Sequence, residues 1–174
     1  VASGATGGIK VRGLGGSPNT QVVVVEDGVP DVQGIFGHPL ADAYVPFLLR
    51  SVELIKGGDS VRHGANAMGA VLRLEGRWPT EPGTELRVAT SGGSFATLQS
   101  DVAALGRHGA LDWRAAVHAF ASDGEREGAG GSRWVVQGAT RLRLEGWELS
   151  FHEKLVHFAG ADPGPIHHPV DGHD

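Results

Sequence analysis

The chain has 174 residues, a formal net charge of -5 and no cysteine. That balance gives no basic footprint for nucleic acid, and it removes disulfides and cysteine-based zinc or redox sites from consideration. The longest strongly apolar run, Val22 to Val25, is far short of the roughly 18 residues a membrane-spanning helix needs, so any passage through a membrane must use strands.

Taken in order, Ile9 to Gly13 and Gln21 to Glu26 read as strands, with Asp27-Gly28 as a turn signal. Ala41 to Arg50 carries Tyr44, Phe47 and Leu48 at helical spacing, and Pro46 suits a first helical turn. Ser51 to Lys56 alternates as a strand, with Val52, Leu54 and Lys56 on one side and Glu53 and Ile55 on the other. Asp59 or Ser60 can cap one short helical turn before His63-Gly64, and Gly69 to Leu74 reads as a further strand. Gly28 and Gly64 are expected at positive φ, with backbone roles only. The paired prolines of Trp78-Pro79-Thr80-Glu81-Pro82-Gly83 then interrupt any regular element, which divides the chain into residues 1–78 and 79–174.

Beyond that break the pattern changes to five longer strands: Glu85 to Ser91, Phe95 to Gly106, Leu111 to Ser122, Arg133 to Glu145 and Trp147 to Ala159. Leu111, Trp113, Ala115, Val117, Ala119 and Ala121 share one face of the third, and Asp112, Arg114, Ala116, His118, Phe120 and Ser122 share the other. An apolar outside with a mostly polar inside, repeated over about 10 residues, is the length and pattern of a tilted strand crossing a bilayer. Turns are expected at Gly92-Gly93-Ser94, Arg107-His108-Gly109 and Glu145-Gly146, with a longer polar connection from Asp123 to Ser132. Trp113, Trp134 and Trp147 all fall on the apolar face near strand ends. Glu153 breaks the pattern, sharing a side with Leu149 and Phe151, so a bulge, a register change or the bilayer edge is expected there.

Several motifs in the first region recur in a fixed order. They are Ile9-Lys10-Val11-Arg12-Gly13-Leu14-Gly15-Gly16, Val22 through Pro30 ending in Glu26-Asp27-Gly28-Val29-Pro30, Leu49 to Gly58, and His63 to Leu74 with its Ala65-Asn66-Ala67-Met68-Gly69-Ala70 core. Together they resemble the plug domain of TonB-dependent outer-membrane receptors. Departures are local: Gly57-Gly58 stands where the family has Gly-Pro, His63 where it has an aromatic, and Ala70 where it has glycine.

The resemblance implies an α+β plug domain followed by antiparallel strands of a transmembrane β-barrel. The family's barrel has about 22 strands, so 174 residues imply a fragment that begins inside the plug and stops after about five strands. The absence of a signal peptide at Val1 agrees with that expectation. The implied function is TonB-dependent uptake of a scarce solute, such as a ferric siderophore, cobalamin or another metal chelate, across the outer membrane. The implied partners are TonB, the solute and outer-membrane lipid, without cofactor or covalent chemistry. By the same resemblance, Arg12, Glu53 and Lys56 are charges between plug and barrel wall, and Phe36, His38 and Tyr44 are the residues expected to touch ligand.

Other readings stay open at this level. His167, His168 and His173 lie with Asp171 and Asp174 in the final segment, and imidazoles with carboxylates can hold zinc, copper or nickel. Their spacing matches no closed site, and a solvated loop is the plainer reading. A metal-dependent enzyme would need His38 or His63 to converge with those terminal histidines. A small soluble all-β ligand- or metal-binding module would need Trp113, Trp134 and Trp147 to bury their faces against one another.

Overall fold

The computed structural model describes residues 9–11, 13, 21–31, 43–57, 62–63 and 67–160. Their strands form two sheets. The smaller contains β1 (Val22–Glu26), β2 (Val29–Pro30), β3 (Leu49–Ile55) and β4 (Ala70–Gly76), in the order β2-β1-β4-β3. β1 runs parallel to β4 inside this sheet, from Val22 opposite Ala70 to Glu26 opposite Leu74. Both of its faces are covered, and Val22, Val23, Val24 and Val25 are all buried. This is why a continuous apolar run, and not an alternating one, builds this strand. Val23, Val25, Ala67 and Val71 pack together with Ile55, while Val22 and Ala70 pack with Val11 and Ile9.

Asp27 and Gly28 reverse the chain between β1 and β2 with φ of 50° and 85°, a left-handed pair that glycine adopts freely and aspartate tolerates. Two expectations for this region fail. Among the described residues of Ile9 to Gly13, Val11 forms only an isolated bridge. The helix expected over Ala41 to Arg50 shrinks to a single 3-10 turn, Pro46–Leu48. The ring of Pro46 drives Val45 to extended backbone, φ -108° and ψ 104°, and the Leu49 N–H closes onto the Pro46 carbonyl before the chain runs into β3. Asp59, Ser60 and Gly64 lie outside the described residues.

The larger sheet is an antiparallel meander in chain order: β5 (Gly83–Gly93), β6 (Thr97–His108), β7 (Leu111–Ser122), β8 (Gly131–Leu144) and β9 (Trp147–Gly160). The first connection is not the glycine turn the sequence pointed to. Gly92 and Gly93 remain paired in β5, and the reversal uses Ser94, Phe95 and Ala96, with Phe95 and Ala96 at φ 59° and 51°. Thr97 holds it, donating from its hydroxyl at 2.7 Å and its N–H at 3.2 Å to the Ser94 carbonyl.

The small sheet lies against the inner face of this wall. Leu48 packs on Ala103 of β6 and Ala116 of β7, with Phe47 beside them. The outer face is apolar and bare. Val88, Val102, Val117, Val136 and Leu155 are successive cross-strand partners forming one aliphatic row across all five strands. Trp134 is 42% exposed and Trp147 is 74% exposed, and no second layer covers that face among the described residues. The tryptophan-centred core of a soluble sandwich is therefore not formed. Trp113 instead lies over Gly106, its indole 2.8 Å from where a Cβ would stand, so glycine makes room for the ring.

From Trp147 to His157 on β9 is ten residues, about 33 Å of strand at roughly 3.3 Å each. At the roughly 40° tilt of membrane-barrel strands, that length would stand about 25 Å tall. Glu153 lies within this apolar band. The pairing of β8 with β9 is unbroken from Gly131 and Gly160 to Leu144 and Trp147, so neither bulge nor register change turns Glu153 away from the outer face.

Candidate functional site

The interface between the small sheet and the wall is polar and strongly patterned. Acids sit on the β1–β2 hairpin, and bases sit on β7 and β9. Asp27, at the hairpin turn, forms an ion pair with Arg114 of β7, their side chains 10% and 8% exposed. Its other carboxylate oxygen accepts the Gly76 N–H at 2.8 Å, and His152 of β9 lies 3.6 Å away. A Cβ at Gly76 would stand 1.6 Å from Arg114 Nη1, so only glycine lets the guanidinium pass.

One step further along the hairpin, Lys154 of β9 donates to Glu26 at 2.6 Å and to Asp31 at 3.1 Å, and its ammonium lies 4.8 Å from the centre of the Tyr44 ring. The Tyr44 hydroxyl is buried near Asp31 and makes no hydrogen bond of ordinary geometry among the described residues. Burial above all, then the negative charge of Asp31, pushes this phenol well above its usual ionisation range. Between hairpin and wall lies a cavity of about 360 Å³, bordered by Asp27, Asp31, Arg114, Gln137, His152 and Lys154.

At the end of the wall where the small sheet's chain enters, Asp112 is fully buried and gathers three guanidiniums: Arg107 at 2.7 Å, Arg141 at 2.9 Å and Arg143 at 3.1 Å. Arg107 also donates to the carbonyls of Pro79 and Thr80, at 2.7 and 2.8 Å. The proline-rich connection is thereby tied to β6, β7 and β8 at once. The guanidinium carbons of Arg114 and Arg141 lie 4.5 and 4.4 Å from the centre of the Trp78 ring.

Toward the opposite end, His118 bonds Asp101 through Nδ1 at 2.7 Å and accepts from Arg133 Nε through Nε2 at 3.2 Å. This pattern assigns a neutral imidazole with its hydrogen on Nδ1, donating to the carboxylate. Gln99 completes the group by donating to Asp101 at 2.8 Å.

Three of the residues expected from sequence are among those described. Tyr44 lies beneath Lys154 at the hairpin. Glu53 stands on the exposed side of β3 and pairs with Arg73 of β4 at 3.4 Å. Lys56 is exposed just beyond β3. Arg12, Phe36, His38, His167, His168 and His173 lie outside the described residues. Among the described residues no group of three or more potential ligands is placed to hold a metal ion, and no helix is long and apolar enough to cross a membrane. Asp27, Arg114 and Lys154 were not singled out from sequence. The signal for the two bases was their place on the polar face of alternating strands, while the hairpin carries three acids in six residues.

A compact sheet seated by charge on the polar face of a strand wall whose other face is apolar defines a plug-and-wall protein. Residues 2–71 match the family model of the TonB-dependent Receptor Plug Domain. The chain is similar to the pyoverdine outer membrane receptor FpvA from Pseudomonas aeruginosa PAO1, solved bound to pyoverdine, with 19% identity over 84% of this chain and a TM-score of 0.66. It is also similar to the siderophore receptor PirA from Pseudomonas aeruginosa, with 21% identity over 83% of this chain and a TM-score of 0.60. These likenesses establish the fold. The chain spans 21% and 27% of the lengths of those two proteins. A comparison with curated proteins gave no match.

Proposed function

We propose that this chain belongs to an outer-membrane receptor for TonB-dependent uptake of a scarce solute, with residues 1–78 as plug and 79–174 as the start of the barrel. The carrying observation is the two-faced wall: charged pairs hold the plug inside, and a bare aliphatic surface about 25 Å tall faces lipid. One solved relative is a pyoverdine receptor and the other a siderophore receptor, which supports a ferric siderophore as the solute class. Transport on this reading is a binding and conformational event, in which solute and TonB shift plug states through differential affinity, without covalent chemistry.

Within this reading Phe36, His38 and Tyr44 contact the solute or shape its seat, and Arg12, Glu53 and Lys56 are charges between the plug and the remaining wall. The test is growth under iron limitation by cells expressing the full receptor, supplied with a panel of ferric siderophores, with TonB present or absent. Support is TonB-dependent growth on at least one chelate, with reduced binding of that chelate in Phe36→Ala and His38→Ala. Growth that is unchanged without TonB rejects the reading.

A further inference from the structure

We infer that Asp101, His118 and Arg133 form a proton-operated latch on the inner face of the wall. The neutral imidazole holds the Arg133 guanidinium in place, and an imidazole that has taken up a proton releases it. The latch is contained in three wall strands and does not depend on the transport reading.

His118 on β7 is the cross-strand partner of Asp101 on β6, and Arg133, the third residue of β8, stands opposite Phe120. Strand alternation puts these side chains on the face that also carries Asp112 and Arg114. The Asp101 and His118 side chains are 7% and 4% exposed. Nδ1 donates to Asp101 at 2.7 Å, while the bare Nε2 accepts from Arg133 Nε at 3.2 Å. Gln99 holds the carboxylate from its other oxygen at 2.8 Å, so the acid that sets the tautomer is itself fixed.

A neutral imidazole has one acceptor, and Arg133 uses it. A proton on Nε2 turns that acceptor into a donor, so the Arg133 N–H then faces another N–H across the same gap. Two cations also stand where one stood, and a guanidinium does not relieve this by giving up its own proton. Asp101 keeps the imidazolium in place through a bond that its charge strengthens. Arg133 is therefore the partner that moves, and its place 5.2 Å from the centre of the Phe120 ring changes with it. Of the described elements at this level, β6 brings Asp101 and Gln99 and β8 brings Arg133. The 3-10 turn Pro46–Leu48, seated on the neighbouring Ala103 and Ala116, brings no titratable group. Imidazole is the side chain type that changes charge between about pH 5 and pH 8, so the latch answers to acidity.

The experiment is magnetic resonance of the full-length protein in lipid bilayers, with nitrogen-labelled histidine and arginine, at about pH 8 and about pH 5. Wild type is compared with H118Q and H118F, and the Arg133 Nε signal is the one absent from Arg133→Lys. Glutamine can donate to Asp101 and accept from Arg133 without titrating, whereas phenylalanine does neither. Wild type at the higher pH is expected to show a hydrogen on Nδ1 alone and a protected Arg133 Nε–H. At the lower pH both imidazole nitrogens carry hydrogen, and that N–H exchanges with water at least about tenfold faster, as loss of a hydrogen bond requires. H118Q keeps the protection at both pH values, and H118F lacks it at both. An Arg133 N–H still protected after His118 has taken up its proton overturns the latch. So does a His118 that stays neutral at about pH 5, or an H118Q protein that loses protection as wild type does.

Discussion

Arg114 reaches Asp27 across the plug and wall interface only through the space left by the missing side chain of Gly76. Three residues from distant parts of the chain are thereby interdependent: the Gly76 N–H orients the carboxylate, and the gap at Gly76 admits its cationic partner. Arg114→Ala is expected to destabilise plug seating by about 3–5 kcal/mol, since it leaves a buried carboxylate uncompensated. Gly76→Ala should cost a similar amount in wild type and much less in the Arg114→Ala background. Additive losses in a double-mutant cycle would show that the two act separately.

Asp112 is expected to govern the connection between plug and wall. Asp112→Ala leaves Arg107, Arg141 and Arg143 without their shared carboxylate and loosens Arg107 from the carbonyls of Pro79 and Thr80. A loss of about 3–5 kcal/mol follows from breaking a buried pair. Trypsin should cut after Arg77 faster in the variant, and equal cutting rates would exclude this tethering role.

Tyr44 gives the interface an alkaline limit. Its folded-state ionisation is pushed above the ordinary value of 10.0 by burial and then by Asp31. Above that pH the unfolded chain releases the phenolic proton while the folded chain keeps it, so the folded state binds more protons and stability falls as pH rises. Tyr44→Phe removes this contribution. Comparing urea midpoints at about pH 9 and about pH 11 should show a smaller drop for the variant than for wild type.

The outer face of the wall tolerates charge least at its aliphatic row. Val136→Arg is expected to cost about 2–4 kcal/mol of folding in bilayers, and Leu144→Arg, beside the band edge at Trp147, about 1 kcal/mol or less. Equal costs at the two positions would mean that depth in a bilayer does not set them.

Much of the wall is legible in sequence because a period of two needs no knowledge of partners. The alternation in Leu111 to Ser122 assigns Asp112, Arg114 and His118 to one face, and the structure keeps them there. It cannot supply what they meet, since Arg114 and Asp27 are 87 residues apart. Tyr44, Phe47 and Leu48 read as a helix because their spacing is helical, yet Pro46 constrains the residue before it more strongly than three apolar positions favour a helix. The turn at Phe95 and Ala96 is hidden because neither residue type signals positive φ, and Thr97 holds it from outside the turn.

The meander and the hairpin it holds differ in how far along the chain their partners lie. Each wall strand pairs with the one made just before it, so the wall can grow by local closure. The hairpin's acids are 128 and 123 residues from Lys154 along the chain. During synthesis Glu26 and Asp31 are therefore exposed, without this lysine, until the fifth wall strand has emerged. Seating of the plug on this part of the wall consequently requires the fifth wall strand.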